Sequence, residues 1–274
     1  MVNSALRIPI SLSLSSLNPL TKIVAVLPAM LFVALTTDVS APLALSTLAL
    51  AVLLVFGQVG VARLAKALVP IAAIALGFLI FYPLIVRREL VAHTPVCFVL
   101  GALPIHEGAL WLGLTAGLRI FAFVSLTMIF NLTTEAHDFA RALVQQAHVP
   151  YRAGYAAMTA LRFAPLLRYE LTVIRAAQRV RGFGEQKGLH GRLEVLWRTA
   201  IPLLASAIRR AERAALAMDG RAFGAYPTRT DLRRMRFARR DVAFVIAFWL
   251  ATSVLIFALW QLGWLGPLAF VQRV

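Results

Sequence analysis

The chain has 274 residues, 60% of them apolar, with a mean hydropathy of +0.79 and a formal net charge of +16. Soluble domains carry about 45–50% apolar residues, so this composition excludes an ordinary soluble globule and indicates an integral membrane protein. Between Thr134 and Arg240 lie 20 of the 28 Lys and Arg residues against 8 of the 12 acidic ones; flanked by apolar stretches, that block belongs in the cytoplasm by the positive-inside rule, and nucleic acid is excluded as a partner.

The first segment, Met1 to Lys22, has scattered serines and no compact apolar core or cleavage site, so no removable signal peptide is expected. Asn18-Pro19-Leu20-Thr21-Lys22 precedes the first apolar run, with Lys22 expected to hold the helix start at the cytoplasmic interface. Ile23 to Leu35 and Leu43 to Phe56 read as two spans, each shorter than the roughly 20 residues that an upright span needs. Gln58 to Ala67, with Arg63 and Lys66, reads as a cytoplasmic connection, and Leu68 to Val86 as a third span. Arg87 to Glu107 then lies outside. His93, Cys97 and His106 fall there, but their spacing matches no metal-ligand pattern, and a single cysteine allows no intrachain disulfide. No metal, cofactor or catalytic residue is assigned.

Ala109 to Phe130 is the fourth span, with Arg119 near its middle. An arginine at that depth costs on the order of 2.5–3.5 kcal/mol on insertion scales, so it should face the protein interior, bonded to carbonyls or a tyrosine, or serve transport. Thr133-Thr134-Glu135 is expected to cap a short amphipathic helix through Ala147, which Pro150 interrupts.

Two long helical stretches follow, joined by the glycine-rich segment Gly182 to Gly191, with Pro165 and Pro202 expected to bend or restart them. In the first, Tyr155, Met158, Leu161, Pro165, Leu166, Tyr169 and Val173 recur at helical steps, with Arg162, Arg168, Arg175 and Arg179 between them. In the second, Leu196, Ile201, Leu204, Ile208, Ala211, Ala215 and Met218 do the same, beside Arg209, Arg210 and Arg213. Each stretch ends in the same group, Arg181-Gly182-Phe183-Gly184 and, 40 positions later, Arg221-Ala222-Phe223-Gly224. A small residue such as Gly182 can adopt the left-handed turn that caps a helix, leaving the preceding arginine at the tip, where its planar fork suits carboxylates or carbonyls of another subunit. A single such arginine would be an ordinary helix end; its duplication implies a partner surface that occurs twice. Arg229 to Arg240 is a basic run anchoring the last span, Val242 to Leu262.

No GxxxxGK[ST], HExxH, GxSxG or paired carboxylates occur, and the spans hold almost no acidic residues. Catalysis by this chain alone is therefore not expected.

These residues resemble the transmembrane (T) component of energy-coupling factor (ECF) transporters, the family of cobalt, biotin and shared vitamin importers of prokaryotes, over nearly the whole chain. Asn18 to Lys22 is similar to the family's entry motif. Thr133-Thr134, Asp138-Phe139, Ala142-Leu143 and Pro150 resemble its linker, and Leu161-Arg162-Phe163-Ala164-Pro165 with Glu170 the opening of its first coupling helix. Ala177 to Gly182 resembles its first Ala-Arg-Gly signature, with Val180 in place of alanine; Ala217 to Gly224 with Arg229-Thr230 resembles the second, with Gly220 and Ala222 exchanged.

The resemblance implies an all-α polytopic membrane protein of about five transmembrane helices and two long cytoplasmic coupling helices. Its parts would be a membrane bundle (1–133), a coupling region (134–240) and a last span (241–274). It implies a non-catalytic scaffold that transmits ATP-driven motion of two ATPase subunits, a homo- or heterodimer, to a membrane-embedded substrate-binding S component for uptake of a vitamin or transition-metal ion. Arg181, Gly182, Phe183, Gly220, Arg221, Ala222 and Phe223 would dock the ATPases; Met158, Leu161, Pro165, Leu166, Leu204 and Ile208 would carry the S component. The chain would lie in the prokaryotic inner membrane with its N-terminus inside and its C-terminus outside.

Two other classes compete. A membrane-embedded enzyme would use His137, Asp138 and nearby arginines on a lipid phosphate, but adjacent His and Asp lack the spacing of acyltransfer motifs. A secondary transporter would place its charge in the spans and not in a cytoplasmic block.

Overall fold

The computed structural model describes residues 13–86, 94–100, 103–182, 188–226, 231 and 233–265. These form eight α-helices: α1 (Pro19–Leu35), α2 (Ser40–Val55), α3 (Val61–Ile85), α4 (Glu107–Asn131), α5 (Ala136–Gln146), α6 (Tyr151–Val180), α7 (Gly188–Asp219) and α8 (Arg239–Gln261). The chain divides into two compact units, one of Met1–Glu135 with Arg236–Val274 and one of Ala136–Met235. The protein is thus an all-α polytopic membrane protein. Among the described residues α3, α4 and α8 are long and apolar enough to cross a bilayer, and α1 and α2 are shorter apolar helices.

In the first unit, α1 begins as its sequence dictates. The Asn18 side chain accepts the Leu20 N–H at 3.1 Å and Pro19 occupies the first turn, where its missing N–H costs nothing. Lys22 is 1% exposed. Its ammonium donates to the Thr133 carbonyl at 2.8 Å and to Thr134 Oγ1 at 3.0 Å, closing the end of α4. Thr133 itself donates to the Ile129 carbonyl. Both threonines therefore serve the helix before them and the buried lysine, in place of the start of α5 that their sequence suggests. Asp241 is the second tie, 2% exposed: one carboxylate oxygen accepts the Asn18 N–H at 3.1 Å and the other the Ala238 N–H at 2.7 Å. Trp249 Nε1 adds a bond to the Ala25 carbonyl at 3.2 Å, so α8 is fastened along α1.

The core of this unit is made of small and branched side chains, including Ala25, Ala29, Val33, Leu45, Ala49, Leu53, Ala122, Leu126 and Ile129. Close approach is taken furthest where α4 meets α3. A Cβ at Gly117 would stand 2.5 Å from the Ala75 carbonyl oxygen, and one at Gly113 would stand 3.0 Å from that of Phe78. This is the spacing by which small residues let membrane helices pack through their backbones. Arg119, two residues after Gly117, donates to the Thr36 carbonyl, so the arginine inside the fourth span is bonded to backbone within the bundle.

Two expectations are corrected. α3 begins at Val61, directly after Gly60, so Arg63 and Lys66 lie in its first turns and not in a connecting loop; the apolar residues around them continue the helix. The segment before α4, to which the sequence reading gave no secondary structure, contains a two-stranded antiparallel hairpin, β1 (Val96–Leu100) with β2 (Leu103–His106). The prolines Pro165 and Pro202 neither break nor restart their helices, which run unbroken from Tyr151 to Val180 and from Gly188 to Asp219. Of the candidate metal ligands, His93 lies outside the described residues; no group of three His, Cys, Asp or Glu side chains gathers among the described ones.

Candidate docking site

The second unit is built on α6 and α7. Gln178 bonds to Thr199 and to the Arg198 carbonyl; Glu170 to Ser206 and Arg210; Tyr155 stacks on Phe223; Tyr151 donates to the Tyr226 carbonyl at 2.9 Å. Residue numbers rise on one helix as they fall on the other, so the two are an antiparallel pair. Arg181 closes α6 at one end and Arg221 follows α7 at the other. A 30-residue helix is about 45 Å long, and the two tips lie within that length of each other along the pair.

At both ends the arginine is followed by a small residue in the left-handed region. At the first, Arg181 is the C-cap (φ −81°, ψ 6°), Gly182 follows at φ +80°, and its N–H bonds the Arg179 carbonyl at 3.0 Å. At the second, Arg221 holds the equivalent place. Ala222 follows at φ +51°, with its N–H on the Asp219 carbonyl at 2.9 Å and the Phe223 N–H on the Met218 carbonyl at 3.0 Å. That pair of bonds is a Schellman closure, whose left-handed residue is normally glycine. Here it is alanine. Arg181, Gly182, Gly220, Arg221 and Ala222 are all exposed.

Phe183 lies outside the described residues. Phe223 turns inward: its ring packs 4.8 Å from Tyr155 and 5.7 Å, edge-on, from Tyr151. Arg152 donates to the Gly224 carbonyl at 3.0 Å. The start of α6 thus braces the tip that carries Arg221, which sequence spacing did not reveal because these partners are about 70 positions apart. The helix α5 adds Gln145, which donates to the Arg233 carbonyl at 3.0 Å and accepts the Met235 N–H at 2.7 Å.

The apolar residues divide. Met158 is half-buried beside Tyr155, whereas Pro165, Leu161 (38%), Leu166 (39%), Leu204 (63%) and Ile208 (51%) are exposed. Trp197 was missed, although it continues the Ile201, Leu204, Ile208 stride and is 66% exposed. The basic residues divide as well. Arg210 does not face solvent with its neighbours but reaches Glu170, and its guanidinium lies 5.9 Å from the Phe163 ring. The Ser206 hydroxyl, 2.7 Å away, holds the Glu170 carboxyl below its ordinary value of 4.5, helped by the charge of Arg210 and opposed by partial burial.

Residues 11–232 match the cobalt transport protein (CbiQ) family. Three relatives are proteins named energy-coupling factor transporter transmembrane protein EcfT. That of Exiguobacterium sibiricum is 31% identical over 177 residues, 62% of this chain and 67% of its own length. That of Bacillus subtilis is 27% identical over 254 residues, 88% and 92%. That of Bacillus selenitireducens is 28% identical over 246 residues, 85% and 87%.

Proposed function

The chain belongs to the cobalt transport protein family, the T components of ECF transporters, and from that membership we propose that it couples two ATPase subunits to a membrane-embedded S component during uptake of a vitamin or transition-metal ion. The observation that carries this reading is the pair of exposed arginine tips, each followed by a small residue in the left-handed region, at opposite ends of one antiparallel helix pair. A partner with two equivalent grooves within one helix length of each other fits that arrangement, and a homo- or heterodimer of ATPases supplies it.

In this reading Arg181, Gly182 and Phe183 enter one groove, and Gly220, Arg221 and Ala222 the other, with Phe223 keeping the second tip in shape. Guanidinium is suited to the task because it stays charged and bonds carboxylates or carbonyls through two parallel N–H groups. Leu161, Pro165, Leu166, Leu204 and Ile208, with Met158 beneath them, carry the S component on an exposed apolar face. ATP binding draws the two ATPases together, and the tips follow. Coupling requires that the tips bind the two nucleotide states with different free energies. The chain itself contributes no catalytic residue; hydrolysis resides in the ATPases.

The same reading assigns residues 1–133 and 241–274 to the bilayer of a prokaryotic inner membrane, and 134–240, with its excess of arginine, to the cytoplasm. The N-terminus lies inside and the C-terminus outside. The transported species is set by the S component.

Co-purification tests the proposal. The tagged chain, expressed with the ATPases and small membrane proteins of its host, should retain two P-loop ATPase chains in detergent. Arg181→Glu or Arg221→Glu should weaken that association while leaving the chain membrane-inserted, and the double change should abolish uptake. Wild-type uptake in the double variant would sink the docking assignment.

A further inference from the structure

We propose that the Ala136–Met235 unit contains a binding site for a phosphate-bearing anion, in the cavity between α5, α6 and the end of α7. The cavity measures about 770 Å³, within the range of small-molecule sites, and lies wholly inside this unit. Four arginines line it: Arg141, Arg162, Arg221 and Arg233. Arg141 and Arg233 are held at 3.2 and 3.3 Å by one carboxylate, Asp138. Among the described residues, Arg162 and Arg221 have no carboxylate oxygen within 4.0 Å.

The charge balance selects the ligand. Among the described residues, Asp138 and, on the cavity wall, Asp231 stand against the four guanidinium groups, which leaves two positive charges uncompensated. A phosphomonoester carries about −1.5 to −2 at neutral pH and offers three acceptor oxygens, the charge and geometry that two guanidinium forks satisfy. A carboxylate would leave one arginine without a counterion. The remaining wall is amphipathic: the Thr159 hydroxyl can donate to an oxygen, while Met158, Phe163 and Met218 offer apolar surface to whatever the phosphate is attached to. The phosphate could belong to the headgroup of phosphatidic acid or to a soluble phosphomonoester; both present the same terminal phosphate.

The site goes beyond the coupling role, and its test avoids Arg221, which that role uses. The full chain in phosphatidylcholine nanodiscs at low ionic strength is titrated calorimetrically with inorganic pyrophosphate. The same preparations, assembled with added phosphatidic acid, are released into detergent and examined by native mass spectrometry for retained lipid. The variants are Arg162→Gln and Arg162→Lys in the cavity, and Arg168→Gln on the same helix outside it. Saturable pyrophosphate binding that weakens about tenfold in Arg162→Gln, less in Arg162→Lys and not at all in Arg168→Gln, supports the site with a soluble ligand. Phosphatidic acid retained over phosphatidylcholine, and lost with the same variant pattern, supports it with a lipid. If neither probe is held, or if Arg168→Gln matches Arg162→Gln, the proposal is overturned, because the arginines then act only as surface charge.

Discussion

Glu170 and Arg210 join α6 to α7, and they stand at the same place in the two copies of the repeat: 40 positions apart, each 11 residues before its tip arginine. The ion pair therefore lies close to a local two-fold relation between the helices. Since the folded state depresses the Glu170 pKa, this bridge contributes stability fully above pH 4.5, and loses it as pH falls through the lowered value. Thermal melts of wild type and Glu170→Gln should differ most at neutral pH and converge below pH 4.5. A difference that persists unchanged into strong acid would refute the linkage.

Ala222 adopts a left-handed conformation at φ +51° that glycine holds without strain. Ala222→Gly should stabilise the second tip by about 1 kcal/mol, and Gly182→Ala should cost the first a similar amount. Chemical denaturation of the two variants, with opposite shifts expected, checks the assignment.

The α3–α4 contact has no room for a side chain at Gly117. Replacing it with leucine forces the helices apart and should cost about 1–3 kcal/mol or more, seen as a lower melting temperature and loss of a monodisperse peak in size-exclusion chromatography. Gly77→Leu is the control, since a Cβ there meets nothing within 4 Å.

Asp241 accepts two N–H groups that have few alternatives. Asp241→Ala should destabilise by about 2 kcal/mol, because buried donors would be left without acceptors; Asp241→Asn retains one acceptor oxygen and should cost less. Equal melting temperatures for all three proteins would remove Asp241 from this role.

Much of the architecture could be read from residue order alone. Apolar runs marked the membrane helices, and the repeated Arg-small-Phe-Gly group marked both tips, because a helix end requires a small residue in a fixed place. Long-range polar partners could not be read in this way. For Lys22 the sequence shows its neighbours, not Thr133 and Thr134 over a hundred positions away. Phe223 looked like part of a docking surface, yet Tyr151 and Tyr155 take its ring, a pairing fixed only when α6 and α7 fold back on each other. Pro165 and Pro202 were expected to bend or restart the long helices, yet both helices continue through them.

The equal distances from the ion pair to the two arginines have a mechanical meaning. Each arm is 11 residues, about 16 Å of helix, so the pair resembles a balance beam whose fulcrum is Glu170 with Arg210. Equal forces on both arms leave the beam level and open or close the angle between its halves, whereas a force on one arm alone tips it. Loads at the two tips would act about that ion pair with equal leverage.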